Sequence, residues 1–178
     1  AGSGNYTING RIDPGSTTDS NSFILIKDGS GMLFLKADSG VTPTNKWNST
    51  LTITNGAVRV SNSQALGLAG SGITGITTIS SNVGARLELT GGISVAETID
   101  IKGKASASTS SHVLNVSGDN SLTGAITLNT GGNDYNISSD AGKLTVSSDL
   151  AVGGGSTASK ILRIAGAGAV ELSGILGN

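Results

Sequence analysis

Leu87-Glu88-Leu89, Ile93-Ser94-Val95 and Ile99-Asp100-Ile101 begin six residues apart, and each sets two aliphatic side chains around one variable residue. Strict alternation of this kind turns the two aliphatics to one face of a strand and the middle residue to the other. The same unit occurs at Leu51-Thr52-Ile53, Val58-Arg59-Val60, Leu114-Asn115-Val116 and Ile126-Thr127-Leu128. It returns at Leu144-Thr145-Val146, Leu150-Ala151-Val152, Leu162-Arg163-Ile164 and Val170-Glu171-Leu172. The middle positions, mostly Thr, Arg, Glu, Ser, Asp and Asn, read as a solvated face.

Strands this short, joined as a meander of hairpins, would leave narrow sheets with many open edges. A coil that turns after each strand and stacks strand upon strand satisfies every ladder from the coils on either side. Three faces of about seven residues give a rung of about 20, each rising about 4.8 Å, so the chain would supply about eight rungs. The expectation is an all-β, parallel β-helix; a β-sandwich is the alternative. Helix competes poorly, because the best stretch, Val95 to Ser111, is broken by Gly103 and alternates at Ile99 and Ile101. The run Ala105–Ser111 reads as a corner loop, and Asp13–Ser22 and Ala37–Asn48 as two further excursions.

Composition agrees. Gly, Ser, Thr and Asn supply 28, 26, 19 and 14 of the 178 residues, against five aromatics, which is too few large side chains for a thick two-layer core. The 16 Ile, 16 Leu and 10 Val are spread evenly enough to build a thin core in layers. Eleven Lys and Arg nearly cancel twelve Asp and Glu, and the four arginines are scattered, so no basic footprint for nucleic acid exists. Without cysteine there is no disulfide, thiolate chemistry or Cys-ligated metal. No apolar run reaches the 18 residues of a membrane helix.

The segments carry a recognisable motif. Lys27-Asp28-Gly29-Ser30-Gly31-Met32-Leu33-Phe34-Leu35 is followed by Asn45-Lys46-Trp47-Asn48 and Leu51-Thr52-Ile53. Then comes Asn55-Gly56-Ala57-Val58-Arg59-Val60, closing at Ala65-Leu66-Gly67. This order resembles the autotransporter-associated beta-strand repeat, with Trp47 where that family commonly has Tyr or Phe. Looser copies run through Leu114–Leu128 and Asp140–Val146, and a strand motif begins again at Val170. The resemblance implies a right-handed parallel β-helix in the passenger of a type V secreted protein. Such a passenger is exported across the outer membrane through a translocator barrel and displayed on the bacterial surface or released outside. Residues 23–178 form the repeat region, expected to be a fragment of a longer passenger; residues 1–22 form an N-terminal edge whose register the pattern does not set.

Candidate chemistry is sparse. His112 is the only histidine and has no Asp within four residues, so no nucleophilic triad is expected. Glu97 and Asp100, with Lys102 and Lys104, read as an outward polar patch. Glu88 and Glu171 occupy strand-middle positions on the same type of face but about four rungs, roughly 19 Å, apart, beyond the spacing of glycosidase carboxyl pairs. Gly131-Gly132-Asn133-Asp134-Tyr135-Asn136 approaches a calcium-coil repeat but lacks its third glycine and its tandem copies, so a turn is expected. The Thr50, Thr52 and Thr54 row invites an ice-lattice reading that the later Arg59, Glu88 and Asp100 interrupt. Gly153-Gly154-Gly155 has no helix or Lys-Ser/Thr to make a phosphate loop. No catalytic, cofactor or metal residue is assigned. The expected role is a non-enzymatic stalk or display segment, with an adhesive role through loops for host or neighbouring-cell glycans or proteins and lateral self-association as further options. A polysaccharide-processing β-helix or a carbohydrate-binding module is the alternative.

Overall fold

The computed structural model describes residues 2–10, 12, 24–36, 50–67, 75–153 and 159–177. The excursions expected at Asp13–Ser22 and Ala37–Asn48 lie outside them. Among the described residues there are seventeen strands and no helix. The first seven are β1 (Tyr6–Ile8), β2 (Leu25–Lys27), β3 (Met32–Leu35), β4 (Leu51–Ile53), β5 (Ala57–Val60), β6 (Ile76–Ile79) and β7 (Arg86–Thr90). They are followed by β8 (Ser94–Val95), β9 (Thr98–Lys102), β10 (Val113–Ser117), β11 (Asn120–Leu122) and β12 (Ile126–Asn129). The last are β13 (Asp134–Ser139), β14 (Lys143–Val146), β15 (Leu150–Val152), β16 (Ile161–Ala165) and β17 (Ala169–Leu172).

The strands stack into three sheets, and every strand pairing is parallel. The first sheet runs β1-β3-β5-β7-β10-β13-β16, the second β2-β4-β6-β9-β12-β15, and the third β8-β11-β14-β17. This is a β-solenoid, and a sandwich of antiparallel hairpins is ruled out. The solenoid makes about five turns, a little short of the expected eight rungs. The reason is coil length. Register pairs such as Val58↔Leu87, Leu87↔Val113, Val113↔Ile137 and Thr77↔Ile99 are 29, 26, 24 and 22 residues apart, because corners and loops use more chain than about 20 per coil allows.

Inside, equivalent residues stack in columns. Val58, Leu87, Val113 and Ile137 form one on the first sheet; Ile53, Ile79, Ile101 and Leu128 form another on the second. All eight are buried. Val95, Leu122 and Val146 do the same on the third sheet, where Leu144 and Val146 point inward and Thr145 between them does not. Each buried aliphatic stabilises by about 1.5–3 kcal/mol, so a core only one side chain deep per face holds the coil, with Tyr135 the buried aromatic among the described residues.

Corners demand small residues. Gly56 has φ +70°, and a Cβ there would collide with the carbonyl oxygens of Gly29 and Gly31 in the preceding coil. Gly118 (φ +83°) turns the chain from β10 to β11 against Gly91 and Gly92 below it.

Two middle residues depart from the solvated face expected of them. Asn115 is buried, while its neighbours Leu114 and Val116 are only partly so. Its column continues inward-facing Leu89 and ends at buried Ser139, and the polar atoms bond one another: Asn115 Nδ2 donates to Ser139 Oγ at 2.9 Å and to the Ala141 carbonyl at 2.9 Å. Asn120 Nδ2 donates to Asn115 Oδ1, and Asn120 Oδ1 accepts from the Ile93 amide at 2.7 Å. A buried polar ladder therefore fills the corner between the first and third sheets, with its donors matched to acceptors. Glu88 does face outward, yet it is 1% exposed because Arg59 and Arg86 close over it.

Candidate functional site

Three polar places come out of this frame: the loop laid over the first sheet, the glutamate under two arginines, and a cleft at the corner before β9.

The loop leaves β9 at Gly103. Lys104 makes an isolated antiparallel bridge to Asp134, its amide donating to the Asp134 carbonyl at 2.9 Å. The chain then turns through Ala107, whose φ of +64° is unusual for a residue with a side chain, and returns to β10. The corner loop expected at Ala105–Ser111 is thus present, but it folds back over the outward face of β13, so that with the core behind it every residue of that strand, 134–139, is buried.

Lys104 is fully buried. Its ammonium donates to the carbonyls of Ala85 (3.0 Å), Ser110 (3.2 Å) and Ser111 (2.8 Å), so the cation is caged by three oxygens rather than paired with a carboxylate. Burial, with the nearby Arg86 charge adding to it, lowers its pKa to about 8. Lys27 repeats the device nearer the N-terminus, donating to the Asp28, Gly29 and Asn55 carbonyls at 3.0, 2.7 and 3.0 Å, and burial lowers its pKa as well.

His112 is also fully buried, stacked on Tyr135 with ring centroids 6.1 Å apart. The Asn136 amide donates to Nδ1 at 3.0 Å, which makes Nδ1 an acceptor and leaves Nε2–H to donate to the Lys102 carbonyl at 3.0 Å. Burial and the Lys104 charge push its pKa down to about 4, the bond to Lys102 opposing them. Both ring nitrogens are occupied by backbone groups, so the imidazole has no free lone pair with which to activate a serine.

Asp134 and Asn136, the two side chains of the calcium-like stretch, are drawn into the same cover. Asn136 Nδ2 donates to the Ser108 and Ser110 carbonyls, both at 2.8 Å, and Arg163 lies 3.3 Å from Asp134. Among the described residues no group of three His, Cys, Asp or Glu is placed to hold a metal ion.

Glu88 accepts from Arg59 Nε at 2.7 Å and from Arg86 Nε at 2.6 Å, one arginine from the coil below and one from its own strand. Glu171 lies on the third sheet, bonded to Lys143 at 3.0 Å, so the two glutamates occupy different sheets. The polar patch expected from Glu97 to Lys104 divides in the same way. Asp100 and Lys102 face outward and pair at 2.9 Å, whereas Lys104 lies under the loop and Glu97 turns in at the corner.

Glu97 is 3% exposed and its Oε1 has no hydrogen-bond partner. Burial raises its pKa to about 7. It lines a cleft of about 220 Å3 together with Ser63, Gln64, Leu66, Ser94 and Ala96. Gly75 backs it: a methyl group there would stand 3.1 Å from Oε1. Glu97 sits between β8 and β9, outside any alternating unit, so the sequence pattern carried no signal for its burial. For the Arg86 and Glu88 pair a signal existed, since residues two apart in a strand share a face.

Searches of protein-family models, curated proteins and solved structures returned no match to this chain.

Proposed function

We propose that the chain is a structural spacer: a right-handed β-helical segment of an autotransporter-like passenger, exported by a bacterium and holding other parts of its parent protein away from the cell surface. The supporting observation is that buried ionisable groups on and under the first sheet are used to tie coils together. Glu88 is shared by arginines from two coils, Lys104 by carbonyls of two segments, and His112 links Lys102 to Asn136 in the next coil. A catalytic centre needs such groups free to exchange protons with a substrate. The right hand follows the strong preference of parallel connections within a sheet, and the passenger assignment follows the Lys27–Gly67 motif order.

Two measurements test the reading. Purified protein offered a panel of bacterial and plant polysaccharides, with and without calcium, should release no reducing ends or unsaturated products. Turnover lost in Glu97→Gln or Asp100→Asn would make the protein a glycan-processing enzyme. Antibody against the chain should label intact source cells or their medium; a signal confined to the cell interior would overturn export.

A further inference from the structure

We propose that the cleft at Glu97 is a binding site for a primary ammonium group carried on a short alkyl stem. The inference is independent of the spacer role. Glu97 is shut into the corner with Oε1 unpartnered. The elements packed around it, Ile93–Ala96, the turn Asn62–Gly67, Gly75–Ile79 and Leu122–Gly124, contain no ionisable residue. On the adjoining β9, Lys102 is paired with Asp100 Oδ2, while Asp100 Oδ1 is buried without a partner. Lys27, Lys104, Glu88, Asp134 and His112 are each bonded to an opposite charge or to backbone groups through at least one atom, whereas no hydrogen bond or ion pair engages the Glu97 carboxyl. A buried carboxyl without a partner is costly, and a charge brought in from outside removes that cost.

The shape selects the cation. A cleft of about 220 Å3 is several times the roughly 30 Å3 share of one water in the liquid, so it holds a small organic group. Leu66 and Ala96 provide an apolar wall for a stem, and Ser63, Gln64 and Ser94 carry oxygens for the remaining N–H donors of an ammonium. A guanidinium prefers two carboxylate oxygens in one plane, and here Oε1 is enclosed. A divalent ion usually takes six or more oxygens and several carboxylates, and the cleft has one carboxylate. Binding exchanges a proton for the ammonium ion: Glu97 releases its proton to solvent and the ion pair forms, with no bond made or broken in the ligand.

The test is a titration of the folded protein with n-butylammonium chloride, followed by amide chemical shifts in two-dimensional nuclear magnetic resonance at pH 6 and pH 8. Saturable shifts should be confined to residues 63–67 and 94–97. Because Glu97 titrates at about 7, binding should be about tenfold tighter at pH 8 than at pH 6. Glu97→Gln should abolish it, and 1-butanol should not substitute. Nα-acetyl-lysine methylamide, which carries its ammonium on an alkyl stem, should bind as n-butylammonium does, and glucosamine, whose amine sits directly on the ring, should bind more weakly at the same pH. Shifts that are absent with n-butylammonium, equal with 1-butanol, or unchanged between pH 6 and 8 would overturn the proposal. The wild-type pH comparison decides even if the Gln variant fails to fold.

Discussion

The coils before β7 and those after it are built on the same alternating unit but close their corners differently. In the earlier part, the described residues supply two strands per coil, β2 with β3, β4 with β5 and β6 with β7, and after β5 the chain passes into a turn at Asn62–Leu66. From β7 onward each coil adds a strand of the third sheet. The interior changes with it. The earlier coils are lined by Leu33, Leu35, Leu51, Ile53, Val58 and Val60, with Lys27 as the buried charge at a corner. The later coils combine aliphatic columns with the Asn115, Asn120 and Ser139 ladder inside and the Lys104 and His112 cover outside. A third strand forces a sharp corner where backbone groups of Gly118 and Ala141 need donors, and asparagine supplies them.

This contrast can be broken experimentally. The largest effect should come from Val146→Asp, which buries a carboxylate in the third-sheet column between Leu122 and Leu172; we expect a loss of about 4 kcal/mol or more in denaturant melts. A loss below about 1 kcal/mol would mean that the third sheet is not packed as an interior.

Next comes acid. His112 has a folded pKa of about 4 against an ordinary 6.5, so the unfolded chain takes up its proton first as pH falls. The stability it protects is complete above about pH 6.5 and lost progressively down to about pH 4, up to about 3 kcal/mol. Glu97 opposes it: its folded pKa is raised to about 7, so its favourable contribution is complete below about pH 4.5 and disappears as pH rises through 7. Melts of His112→Gln across pH 4 to 7 should lose the acid-destabilising slope, and melts of Glu97→Gln should show it steepened. An unchanged slope in His112→Gln would place the imidazole in solvent.

Lys104→Met and Lys27→Met compare the two carbonyl cages directly. Each substitution leaves three carbonyls without their donor, for an expected loss of about 2 kcal/mol. Limited proteolysis should show new cleavage within 105–111 for Lys104→Met alone, because that cage also holds down a loop. The smallest effect belongs to Thr145→Asp. Its side chain faces away from the core beside Ser121 and Glu171, and the change should cost about 0.5 kcal/mol or less. Equal losses at positions 145 and 146 would show the strand to be out of register.

Much of the frame was legible. Leu144-Thr145-Val146 and Ile99-Asp100-Ile101 each assigned their own inside and outside, because a strand has only two faces and aliphatics leave water together. The coil length was misjudged, since corner chain carries no period to count. The candidate sites were hardly legible at all: Glu97 lies between units, and Lys104 and His112 flank a Ser-rich run that reads as exposed loop.

Alternation along the chain determined by itself that the protein is built of short strands with one apolar face, because a two-residue period depends only on local backbone geometry. Which polar residues are buried was decided only by the tertiary structure. The outward face at Glu88 became interior when Arg59, 29 residues earlier, closed over it, and that of β13 did when the loop 103–112 folded across. Burial depends on what arrives from another coil, and a strand's own sequence does not encode its cover.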